Sequence, residues 1–104
     1  MQLFRWTAAL CLLGTLGLAQ AEQKADPNLA RDLAATCTGC HGSDGRAVPG
    51  AGFEALAGVD KAQLMQKLRD FRSGVRPATI MQQISRGYSE AQLELIAAYF
   101  AARK

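Results

Sequence analysis

Apolar positions along the chain recur at helical spacing, and no stretch alternates with the period of a strand. In residues 25–37, ADPNLARDLAATC, Leu29, Leu33 and Cys37 fall every four residues and share one face. Asp26 reads as the N-cap of this helix, and Pro27 suits its first turn because the N–H it lacks is unbonded there anyway. The pattern therefore predicts that a helix delivers Cys37 to the core. In residues 60–74, DKAQLMQKLRDFRSG, the stripe is Leu64, Leu68 and Phe71, with Asp60 as cap and Gly74 as a left-handed stop. A shorter helix is predicted from Thr79 to Arg86, after Pro77, which disfavours helix in the residue before it. The clearest pattern is YSEAQLELIAAYFAARK at residues 88–104. Ser89 and Gln92 make a capping box, and Leu93, Ile96, Ala97 and Phe100 form one apolar face. Arg103 and Lys104 lie at the negative end of the helix dipole. The expected fold is all-α, with about four helices.

Residues 39–58, GCHGSDGRAVPGAGFEALAG, break the periodicity with six glycines and a proline. So long a loop in a small domain is usually functional or wrapped around something. At the other extreme of polarity, MQLFRW carries one positive charge at Arg5, and the apolar run TAALCLLGTLGL follows it. Ala19 and Ala21 then supply the small residues of an A-x-A cleavage site, the layout of a secretory signal peptide. The uncharged run from Trp6 to Ala21 is shorter than the ~20 residues of a membrane span. Bulky Leu10 before Cys11 argues against a lipoprotein anchor. Residues 1–21 are expected to be a cleaved signal peptide and residues 22–104 one domain, exported to the periplasm and not stably inserted in a membrane.

Composition narrows the classes. The chain has 104 residues, 49% of them hydrophobic and 20% charged, which suits one globular domain. The net charge of +3 comes from scattered basic residues rather than a basic stripe, so nucleic acid is not an expected partner. Loss of Cys11 with the leader leaves Cys37 and Cys40, too close together to staple distant segments. A domain this small often needs a staple beyond its own core, and a cofactor is the expected one.

Its attachment point is legible. CTGCH, residues 37–41, holds both remaining cysteines and the only histidine, in the C-x-x-C-H spacing of c-type haem attachment. At this spacing each sulfur reaches one of the haem's two vinyl groups, and His41 falls beneath the iron. A redox-active dithiol is the rival reading, but such motifs sit beside βαβ patterns, which this chain lacks. A structural zinc site wants four ligands, and adjacent Cys40 and His41 suit one tetrahedral ion poorly. With no second histidine, the sixth ligand falls between Met65, next to the 64/68 stripe, and Met81, in PATIMQQI after the proline break. Met81 is expected, because a loop there can carry sulfur to the opposite face. An open site that binds a gas is the alternative. His/Met ligation would raise the reduction potential, since a soft thioether favours ferrous iron.

These residues resemble the class I c-type cytochromes of bacteria, in their monohaem form. CTGCHGSDGR resembles that family's C-x-x-C-H-G-x-D-G opening. LAG at 56–58, FRSGVR at 71–76, Met81 and LELIAAYFAAR at 93–103 follow in the family's order. Residues 79–93, TIMQQISRGYSEAQL, are most similar to the haem subunit of flavocytochrome c sulfide dehydrogenase. The resemblance implies the class I cytochrome c fold wrapped round one covalent haem c. It makes Cys37 and Cys40 the thioether residues and His41 and Met81 the axial ligands. It further implies a carrier of single electrons, not an enzyme in itself, with a flavoprotein subunit as donor. A free shuttle is the alternative, and a haem sensor with a labile sixth ligand a lesser one. One feature departs from the family. Related cytochromes often carry a proline just before LAG, near the group that bonds the other nitrogen of the axial histidine. FEALAG stands there in this chain, so the sequence does not assign the carbonyl that orients His41. Arg72 and Arg76 are open between haem propionates, a partner and a solvated face. Phe53 and Tyr88 are open between haem edge and core.

Overall fold

The computed structural model describes residues 26–104. The expected signal peptide, residues 1–21, lies outside the described residues. The described residues are all-α, as expected, with helices α1 (Leu29–Ala35), α2 (Thr38–His41), α3 (Lys61–Ser73), α4 (Ile80–Arg86) and α5 (Glu90–Ala101), and a 3-10 turn at Ser43–Gly45. No strand occurs among the described residues.

The first helix departs from its expected form at both ends. Asp26 does not cap it. Its carboxylate accepts from Asn28 N at 2.8 Å and its carbonyl from Leu29 N at 3.1 Å, closing a turn ahead of the helix. At the other end the single expected helix becomes two. Thr36 Oγ1 donates to Leu33 O at 3.0 Å and Thr38 Oγ1 to Ala35 O at 2.7 Å. These hydroxyls compete with the backbone ladder, and Cys37 N bonds Ala34 O at 3.0 Å in a tighter turn. Thr36 and Cys37 keep right-handed helical backbone, so α2 continues α1 across a bend with Cys37 at the joint. The irregular loop consequently starts at Gly42, later than expected. The buried face of α1 also differs. Ala34 is wholly buried, whereas Leu33 and Cys37 are partly buried and Leu29 is 42% exposed. Ala34 is the residue at which α1 meets α5, and a methyl group there permits close approach.

The other helices follow the pattern. Asp60 Oδ2 accepts from Gln63 N at 3.2 Å to cap α3, and Gly74 ends it in the left-handed region at φ 84°. Ser89 and Gln92 form the reciprocal capping box of α5, with bonds of 2.9 and 3.1 Å. Leu93, Ile96, Ala97 and Phe100 are all buried, and they pack with Leu64 and Met65 of α3 and Ala34 of α1. This core is small. Leu68 and Phe71 are only partly buried, and Ile80, Ile84 and Phe53 are exposed. Those faces turn towards a cavity instead.

The loop is pinned to α5 at its start. Gly45 O accepts from Leu56 N at 2.8 Å and Ala57 N at 3.1 Å. A Cβ on Gly45 would stand 2.7 Å from Phe100 Cδ1, and one on Gly42 only 1.8 Å from Arg46 O. A side chain at Gly42 would force the backbone to move, one at Gly45 would displace the Phe100 ring, and the positive φ of both strains any substitution. Between them Asp44 adopts φ 55°, and its carboxylate accepts the Tyr99 hydroxyl at 2.7 Å.

Candidate functional site: an apolar cavity beside the C-x-x-C-H turn

α2, the loop, α3, α4 and α5 enclose a cavity of about 250 Å³. Cys37, Cys40 and His41 form one wall, Leu64, Leu68 and Phe71 of α3 a second, and Ile80, Met81 and Ile84 of α4 a third. Ile96, Ala97 and Phe100 of α5 close the back. The two methionines separate cleanly. Met81 lines the cavity and is partly buried, while Met65 is 4% exposed in the core and takes no part in the lining.

His41 is held by the loop that lines the cavity beside it. Its Nδ1 lies 2.6 Å from the backbone carbonyl of Glu54. A carbonyl only accepts, so Nδ1 carries the proton and Nε2 keeps a free lone pair for a metal. This is the contact that the missing proline left unassigned. Sequence reasoning passed over Glu54 because a backbone carbonyl leaves no residue-type signal; only its place two residues before Leu56 pointed to it. Phe53 sets its ring edge-on to the imidazole, with centroids 6.0 Å apart. The Glu54 carboxylate pairs with Lys67 of α3. That hydrogen bond, ahead of the neighbouring positive charges, holds its carboxyl below the usual range. Burial pushes the Cys37 thiol up, against a lowering contact from Thr36 Oγ1.

The remaining candidates sort themselves. Arg72 Nη1 lies 3.5 Å from Glu90, which also takes Arg69 at 2.6 Å, so Arg72 belongs to an exposed ion cluster between α3 and the start of α5. Arg76 sits over the ring of Phe71, 5.2 Å from its centroid, on the outside of a cavity wall. Phe53 lines the cavity. The Tyr88 hydroxyl instead meets Thr36 Oγ1 at 2.7 Å, fastening the turn before α5 to the α1–α2 joint. Among the described residues no group of three or more His, Cys, Asp or Glu side chains gathers as a metal site.

The cavity is a largely apolar site with two cysteines on one wall. Its walls are nearly all hydrocarbon, a nitrogen ligand with a fixed tautomer stands on one side, and a thioether is available from another element. Such a site in an all-α fold suits a c-type cytochrome.

Comparison with known proteins agrees. No family model matches the chain. It is 38% identical over 95 residues to cytochrome c4 of Pseudomonas aeruginosa, covering 91% of this chain and 46% of that one. It is 41% identical over 69 residues to the thiosulfate dehydrogenase electron acceptor of Stutzerimonas stutzeri, covering 66% of this chain and 32% of that protein. Over 68 residues it is 34% identical to the cytochrome subunit of sulfide dehydrogenase of Chlorobaculum tepidum, covering 65% and 60% of the two chains. The chain thus spans less than half the length of the first two relatives. Fold, cavity and relatives together place it in the family of class I c-type cytochromes, with one covalently bound haem c.

Proposed function

We propose that residues 22–104 form an exported, periplasmic monohaem cytochrome that carries single electrons, with residues 1–21 as its cleaved leader. Cys37 and Cys40 make the thioether bonds, and His41 and Met81 are the axial ligands. The observation that carries this reading is that all four line one apolar cavity while Met65 does not. The bound haem supplies the one-electron iron couple. The chain's own residues orient Nε2 of His41, present a soft sulfur from α4, and line the cavity with hydrocarbon that keeps water out. Low polarity and thioether ligation both favour the ferrous state, so the potential is high for a haem. Among the described residues no helix is long and apolar enough to cross a membrane.

For the donor, the names of two relatives point the same way, an electron acceptor of thiosulfate dehydrogenase and a cytochrome subunit of sulfide dehydrogenase. The chain accepts electrons from a dehydrogenase of reduced sulfur compounds, and the similarity of residues 79–93 favours a flavoprotein that oxidises sulfide. The second reading is a free periplasmic shuttle, left open by the likeness over 91% of this chain to cytochrome c4, whose name carries no dehydrogenase. Gentle purification from the periplasm tests both. A companion chain with a flavin band, and sulfide-dependent reduction of the haem by that flavoprotein, support the subunit reading. Elution alone, with no reduction by purified flavoprotein and sulfide, leaves the shuttle.

A further inference from the structure

The segment that orients His41 is thinly anchored. Ala51 N bonds Val48 O at 3.1 Å on one side, and Leu56 N bonds Gly45 O at 2.8 Å on the other. Between them, among the described residues, no backbone-to-backbone hydrogen bond holds residues 52–55. Gly50 and Gly52, both at positive φ, lead into the segment, and Glu54 has no ring to fix its own φ. Two contacts do reach Glu54. His41 Nδ1 takes its carbonyl, and Lys67 takes its carboxylate. Lys67 sits in the middle of α3, three residues after the buried Leu64 and two after the buried Met65, so its backbone is among the most firmly placed near the cavity. Its side chain is 32% exposed and lies along the cavity wall before meeting Glu54.

We propose that Lys67 is a positioning residue for His41. Its ion pair with Glu54 ties the loop to α3, fixes the direction of the Glu54 carbonyl, and so sets the strength of the Nδ1–H bond that governs how strongly Nε2 donates. An exposed ion pair adds little to global stability. Its effect here is on the geometry of one hydrogen bond whose other end is a metal ligand, and such outer contacts tune the metal. The inference rests on the reading of His41 as an iron ligand.

The test is a double-mutant cycle on the haem-loaded protein, with Lys67→Met, Glu54→Gln and both together, and Lys67→Arg as the conservative variant. Exchange of the His41 Nδ1 proton with deuterium, followed by NMR, should be several-fold faster in both single variants and restored by Lys67→Arg. The reduction potential adds a second readout. Simple removal of charge shifts it down for Lys67→Met and up for Glu54→Gln, and those shifts add in the double variant. A shared tie breaks once, so the double shift should differ from the sum. Additive potentials with unchanged proton exchange overturn the proposal. A change in Lys67→Met alone, with Glu54→Gln silent, also overturns it and assigns Lys67 to the haem carboxylates. If His41→Ala keeps the low-spin spectrum, His41 is not a ligand, and this inference falls with that reading. Failure of the tie alone leaves the His41→Ala loss intact.

Discussion

At the scale of single residues the two methionines give the sharpest contrast. Met81→Ala should abolish the methionine–iron absorption band and admit carbon monoxide, with the fold retained. Met65→Ala should do the opposite. It keeps the band and lowers the unfolding free energy by about 2–5 kcal/mol, the usual loss for emptying a buried methionine site. Spectra and denaturant midpoints of both variants decide the matter, and a reversal of the phenotypes removes Met81 as ligand. Tyr99 carries a pH dependence whose sign follows from its partner. Its hydrogen bond to Asp44, then desolvation and the nearby negative charge, raise its pKa above the ordinary tyrosine value. The native chain therefore holds this proton more tightly than the unfolded chain does. The contribution is fully present below the unfolded value of ~10 and is lost as pH rises through the higher folded value. Tyr99→Phe should flatten the alkaline end of the stability curve and leave the potential at neutral pH unchanged, as denaturant midpoints at neutral pH and above ~10 will show.

At the scale of elements, caps and close approaches carry the predictions. Ser89→Ala removes half of the capping box that starts α5. It should cost about 1 kcal/mol, read as a lower denaturant midpoint with an unchanged haem spectrum. Gly42→Ala is a different kind of change, because the new methyl group would overlap Arg46 O. The loop must then leave α2, and His41 is the last residue of α2. Reduced yield of haem-loaded protein and a weakened methionine–iron band are the expected outcomes. The elements also show how far periodicity carries. Ser89, Gln92, Asp60 and Gly74 act through bonds to residues at most three positions away, and all four perform the roles their sequence contexts imply. The α1–α2 bend was not legible, because Thr36 and Thr38 favour it by a side-chain choice that a hydrophobic pattern does not register. The apparent stripe of Leu29, Leu33 and Cys37 held only in part, since Leu33 and Cys37 pack against the core but Leu29 is exposed. Which side of α1 is buried depends on where α5 crosses it, and small Ala34 wins that contact.

At the scale of the whole molecule the buried core is small and much of the apolar surface lines the cavity. Among the described residues seven hydrophobic side chains make up the buried core, while Ile80, at 63% exposure, and Ile84 face the cavity side. Cys37→Ser and Cys40→Ser should therefore cut the yield of folded protein sharply. The intact mass of the wild type under denaturing conditions should exceed the polypeptide by one haem, and haem extractable by acidic organic solvent would refute covalent attachment. The amino-acid sequence by itself determined the helices of α3 to α5, the covalent haem signature and the class of protein. Those depend on local spacing, since caps, stripes and C-x-x-C-H act within a few residues. Tertiary structure alone decided two things. It gave the His41 contact to Glu54, because a backbone carbonyl is the same chemical group at every position and only the path of the chain selects one. It brought Lys67 to Glu54, because that pair forms only when the loop has folded back across α3.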